Sequence, residues 1–288
     1  MHQRFYSLDV FRGATVALMI LVNNPGSWSH IYAPLKHAPW HGCTPTDLVF
    51  PFFLFAVGNA MAFVMPKLQK SGDGLFWKKV LKRTVLIFGI GLLLNLSPFV
   101  KWSNDELVLK TLDSLRIMGV LQRIALSYFF ASVIVYYFKQ RGAFVMAAIL
   151  LLFYWLLSLL FGTPGDPYSL EGWFGTHIDK AILGEAHLYK GEGVVFDPEG
   201  FISTLAAVVQ VIFGYLVGDY IQKKGKTHEK EFGKANENNT NGSYQMVTGL
   251  FVTATLLTVT GLVWGMAFPI NKKIWTSSDT VYTTGLAI

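Results

Sequence analysis

The most constraining feature of this sequence is a series of long apolar segments that contain almost no Asp, Glu, Lys or Arg. A helix needs roughly 20 apolar residues to cross a bilayer core about 30 Å thick. Barrel strands would alternate apolar and polar residues, and the sequence lacks that alternation. The segments therefore predict an all-α, polytopic transmembrane helical bundle. Seven complete spans and the start of an eighth are predicted at residues 8–22, 48–66, 84–100, 115–138, 142–165, 201–220, 244–268 and, incomplete, 281–288.

Composition supports a membrane protein and excludes several other classes. Only 15% of the 288 residues are charged, against about 25% in a soluble domain. The net charge of +6 comes from basic residues in the loops between apolar segments, so no nucleic-acid partner is predicted. Cys43 is the only cysteine, which excludes an intrachain disulfide. The histidines lack a metal-binding spacing such as HExxH, so no metal is predicted.

The distribution of Lys and Arg predicts the orientation in the membrane. Fifteen of the 24 basic residues lie in the segments on the same side as the N-terminus, and 7 lie on the opposite side. Because cytoplasmic loops carry the excess of Lys and Arg, the N-terminus is predicted to be cytoplasmic. We interpret residues 1–288 as one transmembrane domain. Its long external loop, 163–199, is rich in aromatic residues and expected to be ordered, whereas the Lys-rich cytoplasmic loop 223–241 is expected to be flexible.

The segment between the first two spans holds the densest group of chemically active side chains. His37 and His41 lie there, shortly before Asp47. Thr44 and Asp47 fit the start of a helix, with Thr44 as the cap and Asp47 in the first turn. A carboxylate near an imidazole can also orient the ring and raise its basicity. Both interpretations of Asp47 remain open at this point.

A second group of candidates consists of ionisable or polar residues within the spans, where burial is costly. Asp9 and Arg12 share one face at the start of the first span, as a local ion pair or as ligand-binding groups. Arg116 and Arg123 lie seven residues apart in the fourth predicted span and are expected to share a face, with Gln122 beside Arg123. Two arginines on one stripe need anions, either internal carboxylates or the phosphates of a ligand.

A third group lies at the predicted external ends of the spans. Asp197 and Glu199 precede the sixth span, where they suit a helix start or could bind sugar hydroxyls or an amine. Trp275 follows the seventh span and is compatible with either an interfacial aromatic belt or the rim of a carbohydrate site. Together with Trp40 and His41, these residues are the candidates for binding an acceptor substrate.

Five sequence blocks carry a resemblance to a known family. They are SLDVFRGATVALMILVNN, KHAPWHGCTPTDLVFPFFLFAVGNAM, LRIMGVLQRIALSYF, FDPEGFISTL and NKKIWTSS. In order and spacing they resemble the heparan-α-glucosaminide N-acetyltransferase family through nearly the whole chain. The resemblance implies a multi-helix membrane protein that passes an acetyl group from cytosolic acetyl-CoA to the amine of a glucosamine on the other side. Relatives continue for several more helices, so we expect this chain to be shortened at its C-terminus.

The resemblance also implies roles for individual residues. The essential histidine of the family corresponds to His37, its neighbouring asparagine to Asn23 and the aspartate of the TDLVF stretch to Asp47. Acyl transfer to an amine needs a base, and His37 would serve as that base or would itself carry the acetyl group. Asn23 would stabilise the oxyanion, and Asp47 would fix the imidazole tautomer.

The expected partners follow from the same interpretation. The phosphates of acetyl-CoA, the co-substrate, would be bound by basic and polar groups facing the cytoplasm. The residues predicted to line that site are Arg12, Arg123, Gln122 and Asp9. The other partners are the lipid bilayer, in a bacterial inner membrane, and an amino-sugar or oligosaccharide acceptor, and a homodimer is left open. The alternative function is a transporter of amino sugars or oligosaccharides that needs no acetyl-CoA.

Overall fold

The computed structural model describes residues 6–103, 105–231 and 239–288 of the chain. The described part is built mainly from helices, which confirms the predicted helical class. The helices are α1 (Tyr6–Asn23), α2 (Val49–Ser71), α3 (Asp73–Leu96), α4 (Val120–Phe161), α5 (Gly175–Leu183), α6 (Thr204–Glu231), α7 (Asn239–Gly265) and α8 (Ser277–Ala287). One antiparallel hairpin, β1 (Val100–Ser103) with β2 (Glu106–Leu109), is an addition to the predicted all-α fold.

Five of the described helices are long and apolar enough to cross a membrane, namely α1, α2, α4, α6 and α7. Helix α3 does not qualify because its first half carries several basic residues, among them Lys82 and Arg83. Helix α4 has 42 residues, or about 63 Å at 1.5 Å per residue, which is twice the thickness of a bilayer core. It changes direction at Lys139, whose backbone is not helical. This break lies between the fourth and fifth predicted spans, and the full count of seven spans stays a prediction.

Several predicted ends of the spans differ from the ends of the helices. The fourth span was predicted from residue 115, but α4 begins at Val120. Arg116 therefore precedes the helix and does not share a helical face with Arg123. The third predicted span extends to residue 100, whereas α3 ends at Leu96, just before Pro98, because proline has no backbone N–H to continue the hydrogen bonding.

The interior of the bundle is built around α6. In its apolar window 78% of the residues are buried, against 11% in α1 and 6% in α7. Helix α6 lies very close to α2, because Gly58 packs on the backbone of Val211 and Gly214 packs on the backbone of Phe55, with no room for a Cβ atom at either glycine. Small residues permit such close helix packing in membranes. Helix α1 is packed mainly on α2, through Phe11, and remains the most loosely attached long helix near the site described below.

Both long segments that were predicted to be loops contain helix. Residues 163–199 contain α5 and bury the aromatic side chains of Trp173, Phe174 and Phe196. In the predicted loop 223–241, α6 continues to Glu231 and α7 begins at Asn239. Both helices therefore extend into the segment that was predicted to be a loop. Residues 232–238 lie outside the described part, and the predicted flexibility of this segment stays a prediction.

Candidate functional site

His37 and Asp47 form a closely hydrogen-bonded pair between α1 and α2. Asp47 lies in a short 3-10 turn, Pro45–Leu48, that leads into α2. Its Oδ1 atom is 2.6 Å from His37 Nδ1. Its Oδ2 atom accepts hydrogen bonds from the backbone N–H of Ala38 at 3.0 Å and from the N–H and hydroxyl of Thr44 at 3.0 and 2.9 Å. Asp47 therefore lies in the first turn after Thr44, where it accepts the Thr44 N–H in a capping box, and it also contacts the imidazole.

This geometry fixes the tautomer of the histidine. A buried carboxylate with all its oxygens accepting hydrogen bonds requires a donor at His37 Nδ1, so the proton of the neutral ring lies on Nδ1. Nε2 then carries a lone pair. The His37 side chain is 52% exposed, whereas that of Asp47 is 4% exposed. The pair can thus accept a proton from an incoming group at Nε2 while Asp47 stabilises the resulting imidazolium.

His37 opens on a cavity of about 390 Å³, which we call the His37 cavity. Its polar lining comes from Asn23 at the end of α1, from Glu199 and from Lys272, and its apolar lining includes Phe53 of α2. The Asn23 side chain is exposed and donates a hydrogen bond to the carbonyl of Met19 at 2.9 Å. A base, a carboxylate and an ammonium thus surround one largely apolar space.

A second cavity, of about 550 Å³, continues along the same helix and is called the Arg12 cavity. Asp9 and Arg12 of α1 line it together with Arg83 of α3. Phe53 lines both cavities. Eleven residues separate Arg12 from Asn23, which corresponds to about 16 Å along the axis of α1. The two cavities therefore follow one face of α1, and its loose packing leaves this furrow.

Arg123 and Gln122 do not line either cavity. Arg123 is fully buried. Its Nη2 atom donates hydrogen bonds to the carbonyl of Gly200, at 3.0 Å, and to the hydroxyl of Ser203, and its guanidinium lies 5.0 Å from the centre of the Trp275 ring. Gln122 is buried against Gly91. These contacts join α4 to its neighbours, and they do not bring the two residues together with Arg12.

Arg116, Asp197 and Glu199 form an ion cluster before α6. Arg116 binds both carboxylate oxygens of Asp197, at 2.9 and 2.6 Å, and Glu199 at 2.5 Å. Burial acts to lower the pKa of the guanidinium, but the bonds and charges of Asp197 and Glu199 outweigh it and raise that pKa. Asp197 is 1% exposed and also accepts the N–H groups of Tyr189 and Glu199. The hydrogen-bonding capacity of the Asp197 carboxylate is thus used within the protein, whereas Glu199 also lines the His37 cavity.

Asp179 of α5 is buried next to this cluster, and the sequence analysis did not select it. Its Oδ1 atom accepts the N–H groups of Phe201 and Ile202 at 2.9 and 3.2 Å. Within the described residues, its Oδ2 atom has no hydrogen-bond partner. Burial raises the pKa of Asp179 to about 7, against the effect of these two bonds and of Arg123. The group holds the segment 163–199 against the beginning of α6.

The candidate acceptor residues of the aromatic rim occupy different environments. The Trp40 indole donates to the carbonyl of Tyr168 at 2.8 Å and is half-buried. Trp275 is 1% exposed and packs edge-on against Phe50, so it does not lie on an exposed rim as predicted. His41 is exposed, and its Nδ1 is 3.5 Å from the Asn271 amide. Burial of part of its ring lowers the pKa of His41, against the opposing charge of Asp166.

Lys272 is a functional candidate that the sequence analysis missed. It lies between α7 and α8, 225 positions after Asp47, and lines the His37 cavity. Its Nζ atom is 3.9 Å from Asp47 Oδ1.

Burial, together with the nearby carboxylates of Asp279 and Asp47, raises the pKa of the Cys43 thiol, which therefore stays protonated. A thiol held in its protonated form is a weak nucleophile.

Together, these observations define a multi-pass membrane protein with an oriented imidazole at the mouth of a furrow along α1. Comparison with known proteins supplies the family. A family model described as heparan-alpha-glucosaminide N-acetyltransferase, catalytic, matches residues 4–180. The chain belongs to this family.

Two curated relatives carry the same family name. Heparan-alpha-glucosaminide N-acetyltransferase from Homo sapiens is 30% identical over 261 residues, covering 75% of this chain and 38% of the human protein. The Mus musculus protein of the same name is 28% identical over 333 residues, covering 99% of this chain and 47% of the mouse protein. The chain thus spans less than half the length of these relatives.

Proposed function

We propose that this protein is a membrane-embedded acyltransferase. It moves an acetyl group from cytoplasmic acetyl-CoA to the amine of a glucosamine-type sugar on the external side of a cell membrane, in a bacterium its inner membrane. The observation that carries the proposal is the oriented imidazole of His37 at one end of the α1 furrow, with the basic residues Arg12 and Arg83 at the other end.

We expect the two substrates to enter the furrow from its opposite ends. Arg12 and Arg83 provide positive charge for the phosphates of acetyl-CoA. The apolar stretch past Phe53 has a length comparable with that of an extended pantetheine arm, which would bring the thioester to His37. Asp9 lines the same cavity as Arg12, whereas the full burial of Arg123 favours a packing role for it.

The acceptor amine meets the thioester in the His37 cavity. Glu199 supplies a carboxylate that attracts the ammonium group of the sugar. The ammonium group gives one proton to solvent, and the neutral amine loses a second proton as it attacks. His37 Nε2 is the base in the cavity that accepts this second proton. A two-step route through an acetyl-histidine uses the same atom as the nucleophile. Trapping of a labelled acetyl group on the protein separates the two routes.

The test uses the full chain in detergent or liposomes, with labelled acetyl-CoA and glucosamine. His37→Ala is expected to lower acetyl transfer at least about 100-fold, the usual contribution of a general base. The matched control is His30→Ala, since His30 is an exposed histidine of the same loop that contacts Ser29 at 2.9 Å. It should transfer acetyl at the wild-type rate.

A binding measurement examines the other end of the furrow. Acetyl-CoA should raise the thermal unfolding midpoint of the wild type, as any ligand of the folded state does. Arg12→Ala should remove most of that shift. Wild-type transfer that survives in His37→Ala would refute the role of His37. Counterflow of labelled sugar without acetyl-CoA, combined with no acetyl transfer, would favour the transporter.

A further inference from the structure

The loop between α7 and α8 holds Lys272 in a defined position beside His37. Asn271 is fully buried, and its Oδ1 atom accepts the N–H groups of Lys273 at 2.8 Å and Ile274 at 3.2 Å. The N–H of Gly42, in the loop of His37, donates to the carbonyl of Ile270 at 2.8 Å. The two loops are therefore joined through their backbones, and the position of Lys272 relative to His37 is fixed by this contact.

The ammonium of Lys272 has unused hydrogen-bonding capacity. Its side chain is 19% exposed. Over the described ranges its one polar contact is Asp47 Oδ1 at 3.9 Å, which is too long for a hydrogen bond. The three N–H groups of the ammonium are thus available to a ligand in the His37 cavity. The carboxylate of Asp47 lies close enough to serve as the counter-charge of the ammonium in this largely apolar space.

Asn23, which the sequence analysis proposed as the group that stabilises the oxyanion, is less well suited to that role than Lys272. Its amide group already donates to the carbonyl of Met19 at the end of α1, and its side chain is exposed. A neutral amide in water stabilises a developing negative charge less than an ammonium in a partly buried cavity, because charge-assisted hydrogen bonds are about twice as strong.

We propose that Lys272 is a catalytic residue that stabilises the negative charge on the acetyl oxygen during transfer. This inference rests on the proposed acyltransferase function. The neutral amine attacks the acetyl carbon, the C–N bond forms, and the carbonyl electron pair moves to the oxygen, which the Lys272 ammonium contacts. His37 Nε2 takes the amine proton. The electron pair then returns, the C–S bond breaks, and the sulfur of CoA takes the proton from His37.

Three variants test this role. Lys272→Met removes the charge and keeps the length, Lys272→Arg keeps the charge, and Lys273→Met is the matched control. Lys273 is the adjacent residue of the same loop, but its ammonium pairs with Glu192 at 2.6 Å and does not line the cavity. Thermal unfolding midpoints of all three are measured alongside their kinetics, so that a folding defect is separated from a catalytic one.

The expected result is specific to the reaction. Lys272→Met should lower kcat about 100-fold, the usual effect of losing an oxyanion donor, while the KM for acetyl-CoA changes less than about threefold, as for an interaction made only in the transition state. Lys272→Arg should restore about a tenth of the wild-type kcat or more, since the charge is retained. Lys273→Met should remain within about twofold of wild type, as for a rim ion pair of small energy.

Other results would overturn the assignment. If Lys272 only adjusted the charge of the His37–Asp47 pair, Lys272→Met would recover the wild-type kcat at higher pH, because loss of a neighbouring positive charge makes protonation of His37 easier. Equal losses in Lys272→Met and Lys273→Met would also contradict it. An inactive His37→Ala together with a fully active Lys272→Met would reject this role while retaining the proposed function. A wild type that transfers no acetyl group would reject both.

Discussion

The His37 site and the Arg116 cluster both pair buried carboxylates with basic groups near the beginning of a helix, yet they differ in what remains available to a ligand. In the Arg116 cluster, Asp197 accepts two bonds from the guanidinium and two from backbone N–H groups. At the His37 site, both oxygens of Asp47 also accept hydrogen bonds from the protein. The imidazole of His37, however, keeps one nitrogen available to a ligand. Elsewhere in the described chain nothing hydrogen-bonds to His37 Nε2, and that residue lines a cavity.

The difference indicates how structural and reactive charges are distinguished in this protein. A charged group whose bonding capacity is used up by the protein stabilises the fold, and it has nothing left for a substrate. A charged group that is oriented by one buried partner and opens on a cavity can do chemistry. The loose packing of α1 makes the second arrangement possible, because it leaves the furrow. Where α6 packs closely against α2 and α4, a buried charged group has to find its partners within the protein.

The largest expected effect comes from the buried member of the reactive pair. Asp47→Asn should lower acetyl transfer about 1000-fold, or about 4 kcal/mol in activation free energy. An amide in place of the carboxylate no longer requires the proton on His37 Nδ1, so the ring loses its defined tautomer and the imidazolium loses its counter-charge. The measurement is the transfer rate at saturating substrates.

A control for this variant is the thermal unfolding midpoint, because Asp47 also caps the turn before α2. Loss of the cap should cost about 1 kcal/mol, much less than the loss in activation free energy. A rate within tenfold of wild type would show that the pair is structural, like the Arg116 cluster, and the distinction between the two regions would disappear.

The second effect concerns the structural cluster. Arg116→Met should destabilise the protein by about 3 kcal/mol, because it leaves the fully buried carboxylate of Asp197 without its partner. The matched control is Lys180→Met, which removes a partly exposed ion pair with Glu185 at 2.8 Å and should change the stability much less, because solvent weakens such pairs. Both are compared by unfolding in the same detergent. Equal stabilities of the two variants would mean that burial does not set the importance of these pairs.

The sequence predicts the helices well where one physical signal acts alone. The long segments with little or no charge predict the ends of α1, α2 and α7 to within about five residues, because desolvation of charge dominates in a bilayer. The pairing of His37 with Asp47 is also accessible, because the two residues are only ten positions apart around a helix start. In each case the determining contacts are local in sequence.

The features that the sequence could not supply depend on distant contacts. Arg116 leaves the predicted fourth span because carboxylates 81 and 83 positions away bind it. Lys272 reaches the site because the loop after α7 pairs with Gly42 through a bridge at Asn271. Lys272 and Lys273 are adjacent residues of the same type, yet Lys272 lines the cavity and Lys273 pairs with Glu192. No composition or spacing signal separates them.

The effect that is smallest within any one pH unit is a pH dependence that arises in the structural region. The folded protein holds the pKa of Asp179 near 7, whereas an unfolded chain has it near its ordinary value of about 4. Between these pH values the folded state binds more protons than the unfolded state. This contribution to stability is therefore complete below about pH 4, declines by at most about 1.4 kcal/mol per pH unit as the pH rises, and is constant above about pH 7.

Asp179→Asn removes this titration while its amide oxygen can still accept the N–H groups of Phe201 and Ile202. The variant should therefore lose stability less steeply than the wild type between about pH 4 and 7, as measured by unfolding midpoints across a pH series. Acetyl transfer by the folded variant should follow the wild-type pH profile, since Asp179 does not line the His37 cavity. Parallel stability curves for the two proteins would place Asp179 among the ordinary carboxylates. A shifted activity profile would instead connect the structural region electrostatically to His37, and the two regions would have to be treated as one.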